Sequence, residues 1–182
     1  MIESIQFKTD WRCFKEGDLF EFEPGVNLLV GDQGTGKSSL LSLFRTSIYN
    51  EPDFKKLVDI KCDGTVELRL FDFERDNPRT RGYVKFAADV YMRYQSHGNC
   101  VLALFDVLDE QDDTRKCFIL DEPDMALSIR SIGKIAAKLK ATQHQVIAAV
   151  HNPFLIRAFP NVLSVEHKRR MLSEEFITSH AQ

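Results

Sequence analysis

The chain has 182 residues, 43% hydrophobic and 28% charged, which suits one compact domain with an ordinary core and excludes global disorder. Its 24 Lys and Arg face 27 Asp and Glu, a formal net charge of -3. That balance advertises neither a nucleic-acid binder nor an anionic-membrane binder, although a local basic patch stays open.

Ile2–Phe7 alternates and reads as a strand, and Phe20–Glu23 as a second, half-buried one stopped by Pro24-Gly25. Val26–Val30 is a short apolar strand that runs straight into glycines. Ser38–Ile48 carries Leu40, Leu41, Leu43, Phe44 and Ile48 at helical spacing and ends at Asn50-Glu51-Pro52. Thr65–Phe73 alternates after an Asp63-Gly64 turn, which predicts an antiparallel edge or hairpin. Asp76–Gly82 is a charged loop, Tyr83–Tyr94 a helix, and Asn99–Asp109 another, entered through Ser96-His97-Gly98. The last third alternates strand and helix: Cys117–Leu120, Ile129–Leu139, Val146–Val150, a turn at Phe154–Ala158, then terminal sheet elements at Val162–Val165 and Met171–Ile177. Continuous apolar strands between helices predict an α/β fold with a mostly parallel sheet covered on both faces.

The four cysteines, Cys13, Cys62, Cys100 and Cys117, form no C-x-x-C and have no histidine at metal-site spacing. This speaks against a disulfide framework or structural zinc and for reduced thiols in a cytoplasmic protein. The apolar runs are too short to span a bilayer, so no membrane insertion is expected.

Gly31-Asp32-Gln33-Gly34-Thr35-Gly36-Lys37-Ser38 matches G-x-x-x-x-G-K-[ST] between an apolar strand and an amphipathic helix, where a phosphate-binding loop belongs. The glycines let backbone approach phosphates, and the loop N–H groups with the helix N-terminus form a partly positive cradle that extends to Ser39. Lys37 is expected at the β- and γ-phosphates and the Ser38 hydroxyl on Mg²⁺. No N-K-x-D occurs to read guanine. A second apolar strand delivers Asp121 and Glu122 to its C-terminal end, the edge where ligands bind in open parallel sheets. Asp121 is placed for the Mg²⁺ shell and Glu122 to polarise the attacking water.

These motifs together resemble the ABC-class ATPases, closer to RecF/SMC/Rad50-like heads and small AAA-type ATPases of the ABC class than to transporter subunits. The resemblance rests on Phe20–Asn27 leading into the phosphate loop, on Leu120-Asp121-Glu122-Pro123-Asp124-Met125-Ala126-Leu127-Ser128 as Walker B and D-loop, and on His151-Asn152-Pro153-Phe154 as the switch-histidine segment. It implies a single ABC-type head over residues 1–182, a P-loop fold with a small antiparallel N-terminal and middle subdomain, ATP and Mg²⁺ as ligands, and a nucleotide-dependent homodimer. By the same resemblance His151 senses the γ-phosphate, Ser96 and Gly98 belong to a degenerate signature that covers the partner's γ-phosphate, and Arg12, Trp11 and Phe14 lie where family members place residues against the base. The residues alone also allow Ser96 as an ordinary helix cap and Trp11 with Phe14 as core.

Two departures stand out. No Gln occurs from Ser38 to Tyr94, so the transporter-type Q-loop has no obvious equivalent; Asp72, Glu74 and Asn77 are candidates for its place, although a charged edge and solvated loop is the favoured reading of that stretch. Nor is an a/d heptad sustained between the Walker elements, which excludes a long coiled-coil arm there. Basic residues gather loosely at Arg75, Arg79 and Arg81, a possible DNA or partner surface, and at His167–Arg170, which reads as a charged hairpin turn. The expected function is Mg-dependent ATP hydrolysis at a dimer interface driving a DNA-related switch. The alternative is an ATP-regulated subunit of a larger effector protein, and a transporter subunit is less favoured.

Overall fold

In the computed structural model, residues 1–48, 54–73, 97–109 and 116–180 are described. The expected helix at Tyr83–Tyr94, the loop at Asp76–Gly82, Glu74, Asn77, the Arg75/Arg79/Arg81 cluster and Ser96 lie outside them.

The three central strands of the larger sheet are nearly continuous in apolar character, as strands covered on both faces are. A six-stranded sheet has the order β5 (Glu67–Asp72), β6 (Lys116–Asp121), β7 (Gln145–Ala149), β3 (Val26–Val30), β8 (Asn161–Ser164) and β9 (Arg169–Leu172), with only the β8–β9 pair antiparallel. Period-two side-chain alternation splits the central strands between two cores. Leu28, Val30, Phe118, Leu120, Val146 and Ala148 point into one, and Leu29, Cys117, Ile119, Ile147 and Ala149 into the other.

The first core is closed by α3 (His97–Leu104) with its 3₁₀ extension Phe105–Asp109, by α4 (Ile129–Ala141), α5 (Pro153–Arg157) and α6 (Ser173–His180). On α4, Ile132, Ile135, Ala136 and Leu139 form the buried stripe, and Ser128 caps its start by accepting from the Ser131 N–H. The second core is closed by α1 (Lys37–Ile48), through Leu40, Leu41, Leu43 and Phe44, and by a separate antiparallel sheet. That sheet has the order β2 (Leu19–Glu21), β1 (Ile2–Phe7), β4 (Val58–Cys62), with the short helix α2 (Phe54–Leu57) leading into β4. Phe7, Phe14 and Phe20 pack within it at centroid separations of 4.5 to 6.3 Å.

Two buried amides join the sheets. Gln145 accepts from the Ile2 N–H and donates to the Ile2 carbonyl, both at 2.8 Å, which pins β1 to the start of β7. Asn27 accepts from the Glu23 N–H and donates back to the Glu23 carbonyl, closing the Pro24-Gly25 turn ahead of the phosphate loop.

Two elements differ from the sequence expectation. Glu67–Asp72 lies at the edge of the described sheet but runs parallel to β6, with Asp72 paired to Asp121, and among the described residues it has no antiparallel partner. Alternation marks a half-exposed strand but carries no direction. The Asp63-Gly64 turn passes the chain from one sheet to the other. Met171–Ile177 is likewise not one sheet element: β9 stops at Leu172 and α6 begins at Ser173, with Glu174 and Glu175 in its first turn facing the positive end of the helix dipole.

Candidate functional site

Three parallel strands end side by side at one edge, and each delivers one part of the site. β3 runs into the glycine loop, β6 ends at Asp121-Glu122, and β7, lying between them, ends just before His151. The result is a cavity of about 630 Å³ rimmed by Gln33, Gly34, Gly36, Lys37, Ser38, Ser39, Glu122, Asp124 and His151.

The loop's glycines are steric requirements at two points. Gly36 has φ +99°, and a Cβ there would lie 2.4 Å from the Cys13 sulfur and 2.9 Å from Phe14. Gly31 has φ +151°, and its Cβ would meet the Thr35 hydroxyl at 2.7 Å. Thr35 Oγ1 instead donates to the Asp32 carbonyl at 2.8 Å and tightens the loop. The Asp32 carboxylate groups with Glu166 and His180, so Asp32 serves the loop through its backbone.

Lys37 is 5% exposed, and its ammonium donates to the Gly31 and Asp32 carbonyls at 2.7 and 2.9 Å. Burial lowers its pKa, while Glu122, Asp32, Asp121 and Asp124 oppose that shift. Ser38 Oγ donates to Asp121 Oδ1 at 3.0 Å. Burial raises the Asp121 pKa; the Ser38 hydrogen bond counters this, Glu122 and Asp72 add to it, and Arg45 counters it again. Asp72, Ser38, Arg45 and Asp121 share a smaller neighbouring cavity of about 220 Å³, so one of the three proposed Q-loop substitutes does sit beside the acidic strand end.

Glu122 adopts φ +53°, a left-handed conformation that a non-glycine residue holds only under tertiary constraint. Its N–H donates to the Ala149 carbonyl at 3.1 Å, and its Oε1 lies 3.4 Å from His151 Nε2. Asp124, to which no role in the site attaches from sequence alone, is 4% exposed and accepts from the backbone N–H groups of His151 and Asn152.

Arg12, also at φ +53°, lies with its guanidinium 4.6 Å over the Trp11 ring and donates to Ser39 Oγ at 2.7 Å, bracing the first hairpin on the loop. Phe14 is 1% exposed and belongs to the core. Gly98 packs toward Ser131 and Leu127, outside this cavity. The run Lys168–Arg170 is ion-paired: Lys168 with Asp18, Arg169 with Glu175, Arg170 with Glu23. It is a hairpin turn braced to the rest of the chain and is largely neutralised.

The donor set fits a nucleoside triphosphate with a hard divalent cation. A backbone cradle that tolerates no Cβ at Gly36, a buried ammonium, and a hydroxyl beside a carboxylate are what phosphate oxygens and Mg²⁺ require. Among the described residues no helix is long and apolar enough to cross a membrane.

Comparison with known proteins agrees with this geometry. The AAA domain family matches residues 9–145. The SMC head domain from Thermotoga maritima superposes with a TM-score of 0.60 at 13% identity, over 90% of this chain and 94% of that one. A bacterial Atm1-family ABC exporter with ATP bound gives a TM-score of 0.55 at 13% identity, over 99% of this chain but 41% of the exporter chain. Comparison with curated protein sequences finds no match. With three quarters of its length inside the AAA domain match and a fold that superposes on an SMC head over most of both chains, the chain belongs to the AAA domain family and has the fold of an SMC-like, ABC-class P-loop ATPase.

Proposed function

We propose that the chain binds Mg·ATP in this cavity and hydrolyses it at a site completed by a second copy. The observation that carries the reading is the convergence of Lys37, the Ser38–Asp121 pair and the Glu122–His151 pair on one cavity. Lys37 exchanges its loop carbonyls for phosphate oxygens. Ser38 and Asp121 would hold Mg²⁺, which supplies neutralisation of phosphate charge. Glu122 takes the proton of the attacking water, and His151, in contact with it, holds that carboxylate and marks the γ-phosphate position. Ser96 and Gly98 of a second copy would cover the γ-phosphate. Gly98 lying outside its own chain's cavity supports this, as do the exposed Met125 and Phe154 beside the switch and D-loop segments. A closed interface excludes bulk water and strengthens each electrostatic contact inside.

The opening and closing of that dimer would drive a DNA-related switch. The ion pairing of Lys168–Arg170 favours a second reading, in which the switch acts on a larger effector protein. ATP turnover with and without duplex DNA, alongside solution mass, tests both for wild type and Glu122→Gln. The expected result is a variant that binds ATP, loses about 100-fold or more in turnover and accumulates as a dimer. A monomer under every nucleotide condition overturns the composite site. Turnover indifferent to DNA overturns the DNA reading and leaves the effector reading.

A further inference from the structure

Asp124 sits in the turn after β6, and its carboxylate is used to hold backbone from a different element. Oδ2 accepts from the His151 N–H at 2.7 Å and from the adjacent Asn152 N–H. Oδ1 is sealed from solvent and has no hydrogen-bond partner among the described residues. A carboxylate at 4% exposure, with one oxygen unpaired and no salt bridge among the described residues, is a poor device for stabilising a fold. An apolar residue of similar volume would suit the position better if packing were all it served.

What the carboxylate grips explains its presence. Two successive N–H groups on one oxygen fix the backbone from which the His151 side chain departs. That side chain is 44% exposed, with its Nε2 3.4 Å from Glu122 Oε1. The next residue, Asn152, turns its own Oδ1 to the Phe154 N–H at 2.9 Å and starts α5, so the segment is held from both sides. Glu122 lies two residues before Asp124 and is itself in a left-handed conformation tied to the Ala149 carbonyl. Asp124 and the Glu122 N–H therefore form two ties between the turn after β6 and the end of β7.

We propose that Asp124 is a positioning residue: its carboxylate locks the switch segment to the acidic turn, so that His151 and Glu122 keep one mutual geometry in the absence of nucleotide. This rests on the ATPase reading for its catalytic consequence, but not for the clamp itself. The turn and the switch segment then move as one body when the γ-phosphate arrives or leaves.

The test compares wild type, Asp124→Ala and Asp124→Asn in two measurements: amide hydrogen exchange at His151 and Asn152 without nucleotide, and steady-state ATP turnover. For Asp124→Ala we expect exchange at both amides to rise about tenfold or more, and kcat to fall about 10–100-fold with KM for ATP within about threefold. Asp124→Asn keeps one oxygen able to accept both N–H groups, so it recovers most of the protection and part of the lost kcat. Unchanged exchange or unchanged kcat in Asp124→Ala overturns the proposal, as does Asp124→Asn with amides as unprotected as those of Asp124→Ala. If Asp124→Ala does not fold, loss of protection in Asp124→Asn relative to wild type overturns it and retained protection supports it. Wild type without ATP turnover sinks the ATPase reading, and the exchange comparison alone then decides the clamp.

Discussion

The antiparallel lobe and the C-terminal edge of the parallel sheet are built on opposite terms. In the lobe, Phe7, Phe14 and Phe20 lie at 0 to 1% exposure with stacked and edge-on rings. At the sheet edge the buried or half-buried groups are Lys37, Asp121 and Asp124, and both Glu122 and Ala126 hold left-handed backbone. The lobe's aromatic interior gains from burial, whereas the edge gives up stability to keep charged groups buried and aimed. The difference teaches that the lobe backs the edge: its Cys13 and Phe14 lie so close behind Gly36 that a Cβ there would clash with both.

That contrast can be broken by substitution. Phe14→Ala should have the largest effect, a loss of about 3–5 kcal/mol in unfolding free energy from a fully buried ring, with nucleotide binding weakened because the loop loses its backing. Denaturant unfolding with and without Mg·ATP checks both. Gly36→Ala strikes the junction itself: a left-handed φ and a blocked Cβ predict about 2–4 kcal/mol of destabilisation together with loss of nucleotide binding. Intact ATP affinity in a folded Gly36→Ala protein would show that the backing is not needed.

Asp121→Asn is expected to go the other way. Burial raises the Asp121 pKa in the fold, so the folded protein takes up that proton more readily than the unfolded chain. Its contribution to stability is thus favourable at low pH and is lost as pH rises from the unfolded value through the raised folded one. At neutral pH the substitution should therefore raise the Tm of the nucleotide-free protein by about 2–4 °C while abolishing Mg-dependent stabilisation by ATP. The Tm gain should shrink as pH falls. Arg169→Ala is the control: an ion pair with both side chains largely exposed should change stability by less than about 0.5 kcal/mol.

What could be read from sequence follows the same division. That the glycine loop and Asp121-Glu122 share one edge is legible because each is a short pattern at a strand end and parallel strands bring their C-terminal ends together; His151 joins them in the sequence only through the family resemblance. The direction of β5 was not legible, since alternation is blind to orientation. α6 did carry a signal in Ser173-Glu174-Glu175, a helix-start pattern that the apolar spacing of Met171 and Phe176 obscured. Asp124 was invisible for a deeper reason. Its partners lie 27 and 28 residues further on, and only the adjacency of β6 and β7 makes them neighbours.

Lys37 rests on the carbonyls of its own loop, at 2.7 and 2.9 Å. Under the proposed function nucleotide entry would be a trade of hydrogen-bond acceptors by this one side chain. Little order of the loop would then have to be created on loading, so capture would run at the pace of encounter and the slow events would fall to the meeting and parting of the two copies.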